Sequence, residues 1–383
     1  MDQTRFDAVT RTLSRIPSRR DVLRGLASAG LGLGSLRLST VAAAKKKRKG
    51  KKKQKKCAEA GQTTSKKRKR CCQGLVQDGT GRCAQPASDC IPATCGPTAC
   101  GNLPDGCGGT LNCGGCASNS LCDAGVCQPC TVTCVSGVPT VCGADLQLAL
   151  AAGGTVYVCP GRYQENFTLD AAVRVVGAGE GAGVATDTIL TANGLGRVLT
   201  INLGTGLVAL ERLRLTGGSA DSGGGISHHG TTLRLTDCTV SGNTVIGAGG
   251  GIYADLDTTL ELTNCTVRDN EAIAAGGDGG GLALIFGTAT LSGSTQVRGN
   301  AAQTGGGIYY AGTPTTTLVI AETCRVTENT ADAGQGGGIY NSLGSVILQG
   351  ADPSPIVVNN CEENCAGDAV AKCSTAPPVS CPP

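Results

Sequence analysis

Short runs in which apolar and polar residues alternate recur from Thr155 to Asn360, each closed by glycine, asparagine or aspartate. Leu260 and Leu262 stand two apart between polar neighbours, the period of a strand with one buried face. The runs belong to a repeat. Aligned on glycine triplets that start at Gly223, Gly249, Gly279, Gly305 and Gly336, five segments follow one another at intervals of 26, 30, 26 and 31 residues. Each holds three strand-like pieces, such as those at 251–253, 259–263 and 265–268. Length varies only after the terminal asparagine or inside the central turn, where loops would project from a fixed coil.

One such unit cannot bury its apolar face alone, whereas stacked turns bring equivalent residues about 4.8 Å apart and create a continuous interior. Antiparallel hairpins would need turn signals every 8–12 residues, not a unit near 28. The expected fold is therefore all-β: a single-stranded right-handed parallel β-helix of about eight coils over residues 143–360, a rod of about 40 Å. Asn243, Asn270, Asn300, Asn329 and Asn360 close the repeats and are expected to occupy left-handed turns and to form a structural ladder through their amides. The triplets allow close backbone approach at a corner. Cys238 and Cys265, with Cys324 roughly in phase, are expected inside as reduced, small apolar residues rather than as metal ligands.

Upstream, residues 144–152 suggest a short amphipathic helix, followed by GGTVYVCPGRYQENFTL at 153–169 and VRVVGAG at 173–179. These segments resemble the N-terminal cap and first coils of the pectin-lyase-like superfamily. The glycine-triplet repeats are similar to those of bacterial polymorphic surface and autotransporter proteins.

Composition sharpens this picture. Aromatic residues are 2% of the chain, Trp is absent and Gly numbers 60, so small and aliphatic side chains must fill the core. Without a strict three-residue period the glycines do not describe collagen. The net charge of +4 conceals a segregation. Residues 45–70 carry 15 Lys or Arg against Glu59 alone, whereas from Cys71 onward 11 basic residues face 25 acidic ones, a net charge of −14. The basic strap at 45–70 is expected to be disordered by self-repulsion, and to serve either as a solvating spacer or as an electrostatic tether to an anionic cell-envelope polymer or polysaccharide. No specific nucleic-acid partner is expected.

Before the strap, SRRDVLR at 18–24, a glycine-rich apolar stretch and Ala42, Ala43 and Ala44 resemble a twin-arginine export signal carried by Arg19 and Arg20. The resemblance implies a bacterial protein, signal peptide 1–44, cleavage after Ala44, and a secreted, extracellular or cell-wall-associated mature form without a transmembrane segment. Export suits the 23 cysteines, 16 of them between Cys57 and Cys159. Segment 71–142 is expected to be a disulfide-stapled, cysteine-rich module. Its run CGNLPDGCGGTLNCGGC at 100–116 resembles a short module of secreted bacterial proteins. Cys113, Cys116, Cys127 and Cys130 form two C-x-x-C pairs whose alternative is a tetrahedral zinc site. Cys361, Cys365, Cys373 and Cys381 in the tail at 361–383 are expected to staple a C-terminal cap.

No catalytic constellation is assembled from sequence alone, and no cofactor is expected. Asp237, Asp269 and Asp278 differ in phase along the repeat, and the paired-aspartate, Gly-His-Gly and Arg-Ile-Lys motifs of galacturonan hydrolases are missing. His228 and His229, the two histidines, are expected on a solvent-exposed turn. Asp255, Asp257 and Glu261 with Asp237 make an acidic side of the rod. The expected function is surface association or carbohydrate and envelope binding by a non-enzymatic monomer. The alternative is a polysaccharide lyase or hydrolase with its site in the insertions after Asn270 or Asn329.

Overall fold

Strands form where β-branched and leucine residues alternate with polar ones, and several end where the next residue adopts positive φ, as at Arg212, Asp237 and Glu328. The computed structural model describes residues 76–77, 82–84, 93–192, 194, 196–332, 335–350, 356–361 and 363–373. The chain divides into Met1–Pro86 and Ala87–Pro383. Described residues of the first unit form the antiparallel pair Val76–Gln77 and Cys83–Ala84. The second unit contains a parallel β-solenoid of about seven turns.

Three parallel sheets run along the solenoid. Sheet A has eight strands, from Gly154–Tyr157 to Ser345–Leu348; sheet B has seven, from Gly161–Gln164 to Arg325–Thr327; sheet C has eight, from Phe167–Leu169 to Cys365–Gly367. A small fourth sheet, Ser219–Ala220, Thr244–Val245 and Glu271–Ala272, runs beside the asparagine turns. Register sets the interior. Leu210, Leu235, Leu262, Leu291, Ile320 and Leu348 lie opposite one another through successive turns of sheet A, all buried. Each such leucine contributes about 1.5–3 kcal/mol by leaving water. At the corner between sheets A and B, Cys238, Cys265 and Cys324 are buried in a further column. Thr295 fills the turn between the last two and accepts the Cys265 N–H at 3.1 Å. Burial, then the neighbouring Cys265 thiol, raises the Cys238 pKa.

The five repeat asparagines are buried and bridge successive turns. Side-chain amides donate from Asn243 to Asn270 at 2.9 Å, Asn270 to Asn300 at 3.0 Å, Asn300 to Asn329 at 2.9 Å and Asn329 to Asn360 at 2.9 Å. Asn360 continues the series to Asn364 at 3.1 Å. The left-handed conformation expected of these residues falls one position earlier, at Gly242, Asp269, Gly299, Glu328 and Asn359, with φ of 55–63°. That preceding residue makes the turn, so the following asparagine points inward to the next coil. Two triplet positions show why glycine is required. Gly249 has φ 69°, and a Cβ on Gly281 would stand 2.6 Å from the Gly307 oxygen and 3.0 Å from the Asn300 amide nitrogen.

The helix Pro139–Ala151 lies at the first coil. It begins earlier than the 144–152 stretch because Pro139 can occupy a first-turn position, where its missing N–H is not needed. Gly143 lies inside the helix, where a Cβ would meet the Gln164 oxygen at 2.3 Å. Gln147 treats the open sheet edge as a neighbouring strand would: its amide donates to the Thr168 oxygen at 3.0 Å and accepts the Thr168 N–H at 2.9 Å. No helix among the described residues is long and apolar enough to cross a membrane.

Disulfides join Cys95 to Cys113, Cys100 to Cys122, Cys116 to Cys127 and Cys134 to Cys142. Cys130–Cys159 ties this region to the first coil, and Cys365–Cys373 lies at the last. Arg174 adds a polar anchor, bonding Asp123 at 2.8 and 2.9 Å and Glu211 at 2.7 and 2.8 Å.

Candidate functional site

Alternation along strand Ile226–His229 sends Ile226 and His228 into the core and Ser227 and His229 to the outer face of sheet C. The histidines therefore do not share the exposed turn expected of them; Gly230, with φ 59°, makes the turn after them. His228 is fully buried in the column of Ile201, Ala254 and Leu284. Its Nε2 lies 3.1 Å from the Thr231 carbonyl, which can only accept, so Nε2 carries the proton and Nδ1 is bare. Nδ1 has no hydrogen-bond partner. Burial pushes the His228 pKa down to about 4.

His229 has the opposite setting. Its Nδ1 lies 2.6 Å from Asp255 Oδ1, directly across in the next turn, and its Nε2 lies 3.0 Å from Ser227 Oγ. A carboxylate accepts, so Nδ1 carries a proton, and in the neutral ring Nε2 accepts the serine hydroxyl. Serine, imidazole and carboxylate thus form one continuous relay. Tyr253 faces Ser227 across the ladder, with its ring edge-on to His229 at 6.3 Å. Burial, and then the Asp255 charge, push the Tyr253 pKa up to about 12.

The relay stands at one end of an aromatic column. Tyr253, Ala283, Tyr309 and Tyr340 occupy equivalent outward positions in consecutive turns. The rings of Tyr309 and Tyr340 stack at 5.8 Å, inclined by 2°. Three of the chain's six tyrosines lie on this line.

Sheet B offers a different surface. A groove of about 710 Å³ is lined by Arg162, Ile189, Arg214, Thr216, Ser219 and Thr244, among others. Arg162 and Arg214 flank Ile189, two strand spacings or about 10 Å apart along the backbone. Among the described residues neither guanidinium enters an ion pair. Burial and then the Arg268 charge lower the Arg214 pKa, with Arg162 adding to the repulsion and Asp269 and Asp187 opposing it.

The remaining residues singled out by sequence do not converge. Asp237 and Asp269 occupy separate turns at φ 51° and 55°, and Asp278 pairs with Thr304 of the next coil. Of the acidic side of the rod, Asp255 bonds His229 and Glu261 bonds Arg234 at 2.6 Å. Cys113, Cys116, Cys127 and Cys130 are all in disulfides, to Cys95, to each other and to Cys159, so the zinc alternative lacks the thiolates it needs. The sulfurs of Cys100, Cys116 and Cys127 lie within 4.8 Å of one another because two disulfides pack together. Arg19, Arg20, Ala44, the strap at 45–70 and Cys381 lie outside the described residues.

Sequence reading missed both the relay and the groove. Ser227 and His229 are two apart on a strand, which places them on one face; Asp255, 26 residues on, joins them only once coil register is known. No family model matches the chain, and no curated protein or solved structure matches it.

Proposed function

We propose that this chain is an exported bacterial β-solenoid that binds an acidic envelope glycan. The reading places it in the pectin-lyase-like superfamily, with residues 1–44 as a twin-arginine signal removed after Ala44. The mature protein is held at the cell surface by the strap at 45–70, acting with the groove on sheet B.

The pair Arg162 and Arg214 carries this reading. Two guanidiniums without carboxylate partners, one of them held partly out of water, flank the apolar Ile189 in a groove edged by the hydroxyls of Thr216, Ser219 and Thr244. Guanidinium forks take carboxylate or phosphate oxygens in bidentate fashion, and hydroxyl walls suit the hydroxyls of a sugar ring. By contrast Arg174, on sheet A, is already held by two carboxylates, Asp123 and Glu211. The disulfides are compatible with an oxidising compartment.

The test is cosedimentation of residues 45–383 with insoluble polyuronate and with a poly(glycerol phosphate) matrix, from low to high salt. Binding is expected to weaken steeply with salt. The double variant R162A/R214A should lose at least tenfold in affinity, and deletion of 45–70 should remove a further salt-dependent share. Retention by the double variant equal to that of the parent would refute the groove as the site. Retention unchanged at high salt would refute the electrostatic mechanism altogether.

A further inference from the structure

We infer that Ser227, His229 and Asp255 are a nucleophile, general base and orienting carboxylate that hydrolyse esters, with acylated glycan as the substrate class. The substrate class rests on the glycan-binding reading; the chemistry does not.

Geometry comes first. Ser227 Oγ to His229 Nε2 is 3.0 Å and His229 Nδ1 to Asp255 Oδ1 is 2.6 Å, within the reach that proton transfer requires. The order of contacts, hydroxyl to Nε2 and carboxylate to Nδ1, favours the tautomer whose Nε2 lone pair faces the hydroxyl. The arrangement is recognised by these roles, not by sequence order or fold.

The repeat supplies a second, independent observation. Equivalents of Ser227 in neighbouring turns are Thr200, Tyr253, Ala283 and Tyr309, and equivalents of His229 are Asp255 and Ile285. A hydrogen-bond network required by the coil would recur from coil to coil, as the asparagine ladder does. Among the described residues the relay occurs once, on the outer face of sheet C, with Ser227 covered and His229 and Asp255 partly open to water. It also stands at the end of the tyrosine column, whose faces and edges suit sugar C–H groups and hydroxyls.

The reaction balances with water as the second reactant. Ser227 Oγ attacks the ester carbonyl carbon, forming a C–O bond, while its proton passes to His229 Nε2. Asp255 stabilises the resulting imidazolium through Nδ1–H. The tetrahedral adduct breaks its bond to the glycan oxygen, which leaves with the proton from Nε2. Water, deprotonated by the same nitrogen, then cleaves the acyl-serine, releasing the carboxylic acid and restoring the hydroxyl.

Two features shape the expected activity. Ser227 lies on a strand whose N–H groups belong to the parallel ladder, so no pair of backbone donors is aimed at the oxyanion. Turnover should therefore be lower by about 10²–10³-fold than with such donors in place. Ser227 is also only 2% exposed, with Tyr253 as its neighbour across the ladder, so Tyr253 must turn aside to admit an ester.

The test uses the full-length chain with p-nitrophenyl acetate, with acetylated and deacetylated xylan, and with a fluorophosphonate probe read by peptide mass spectrometry. Expected results are acetate release above buffer, a covalent adduct on Ser227, loss of both in S227A and H229Q, and at least a tenfold lower rate in D255N. Y253A should label faster than the parent. All four positions face outward, so melting curves near that of the parent should accompany these changes. Hydrolysis by S227A equal to the parent, or no adduct on Ser227 even in Y253A, would overturn the assignment. The two readings fail separately: p-nitrophenyl acetate carries no glycan, so acetate release and the Ser227 adduct test the relay alone, whereas cosedimentation of the parent with polyuronate tests the groove alone.

Discussion

His228 and His229 are consecutive residues of one strand with opposite protonation settings. His228 donates through Nε2 to the Thr231 carbonyl from inside the core, whereas His229 donates through Nδ1 to Asp255 at the surface. The pleat of a single strand separates them. One is a buried base that resists a proton; the other is held by a carboxylate and turns its second nitrogen to Ser227.

The setting of His228 predicts acid lability with a defined window. Its folded pKa, about 4, lies below the ordinary 6.5, so the unfolded chain binds the proton first. This residue's contribution is therefore lost as pH falls from about 6.5 to about 4 and changes little outside that range, a total of about 3 kcal/mol. Urea unfolding at pH 7 and pH 4.5 should show the difference in the parent. H228L, which fits the column between Ile201 and Ala254, should lose this component. An identical pH dependence in both chains would show that His228 does not titrate on unfolding.

Much of this architecture could be read before any coordinates, and the parts that could not share one cause. Period, glycine triplets and terminal asparagines are properties of single coils, so they repeat visibly along the chain. Asp255 and His229, or Arg162 and Arg214, meet only through register between coils, and insertions of unequal length hide that register. The helix starts ahead of the 144–152 stretch, and Gly143 inside it is required by the close approach of Gln164, which belongs to another element. The inward setting of His228 depends on the column it enters, between Ile201 and Ala254, and a single coil does not display that column.

The asparagine ladder should be sensitive to chemistry as well as volume. Asn300 accepts the Asn270 N–H at 3.1 Å and the Asn270 amide at 3.0 Å, and donates to the Val267 oxygen at 3.1 Å and to Asn329. Asn300→Ala leaves several buried groups unpaired and should cost about 3 kcal/mol. Asn300→Asp keeps the shape but points a second oxygen at two acceptors, so it should be at least as damaging. Thermal unfolding decides the matter: an aspartate variant clearly more stable than the alanine variant would mean that packing, not hydrogen bonding, holds the column.

The last prediction concerns the join between the cysteine-rich segment and the solenoid. Arg174 holds Asp123 of the hairpin Ser120–Asp123 and Val126–Pro129 against sheet A, and Tyr157 adds a hydroxyl bond to the same carboxylate at 2.9 Å. The Arg174 guanidinium, more than any other group, lowers the Asp123 pKa to about 2. A depressed carboxylate stabilises the fold above its ordinary pKa near 3.8 and loses that contribution as pH falls toward 2. The Arg174 side chain is 33% exposed, so solvent screening reduces the effect to about 1–2 kcal/mol. Arg174→Met should free the hairpin while Cys130–Cys159 keeps it tethered. Hydrogen exchange at Leu121 and Cys122 should rise at neutral pH with little change at Leu262, deep in the solenoid. In the parent the same amides should loosen only below about pH 4. Exchange rising equally at both places would mean that Arg174 supports the first coils as a whole rather than the docking of the hairpin.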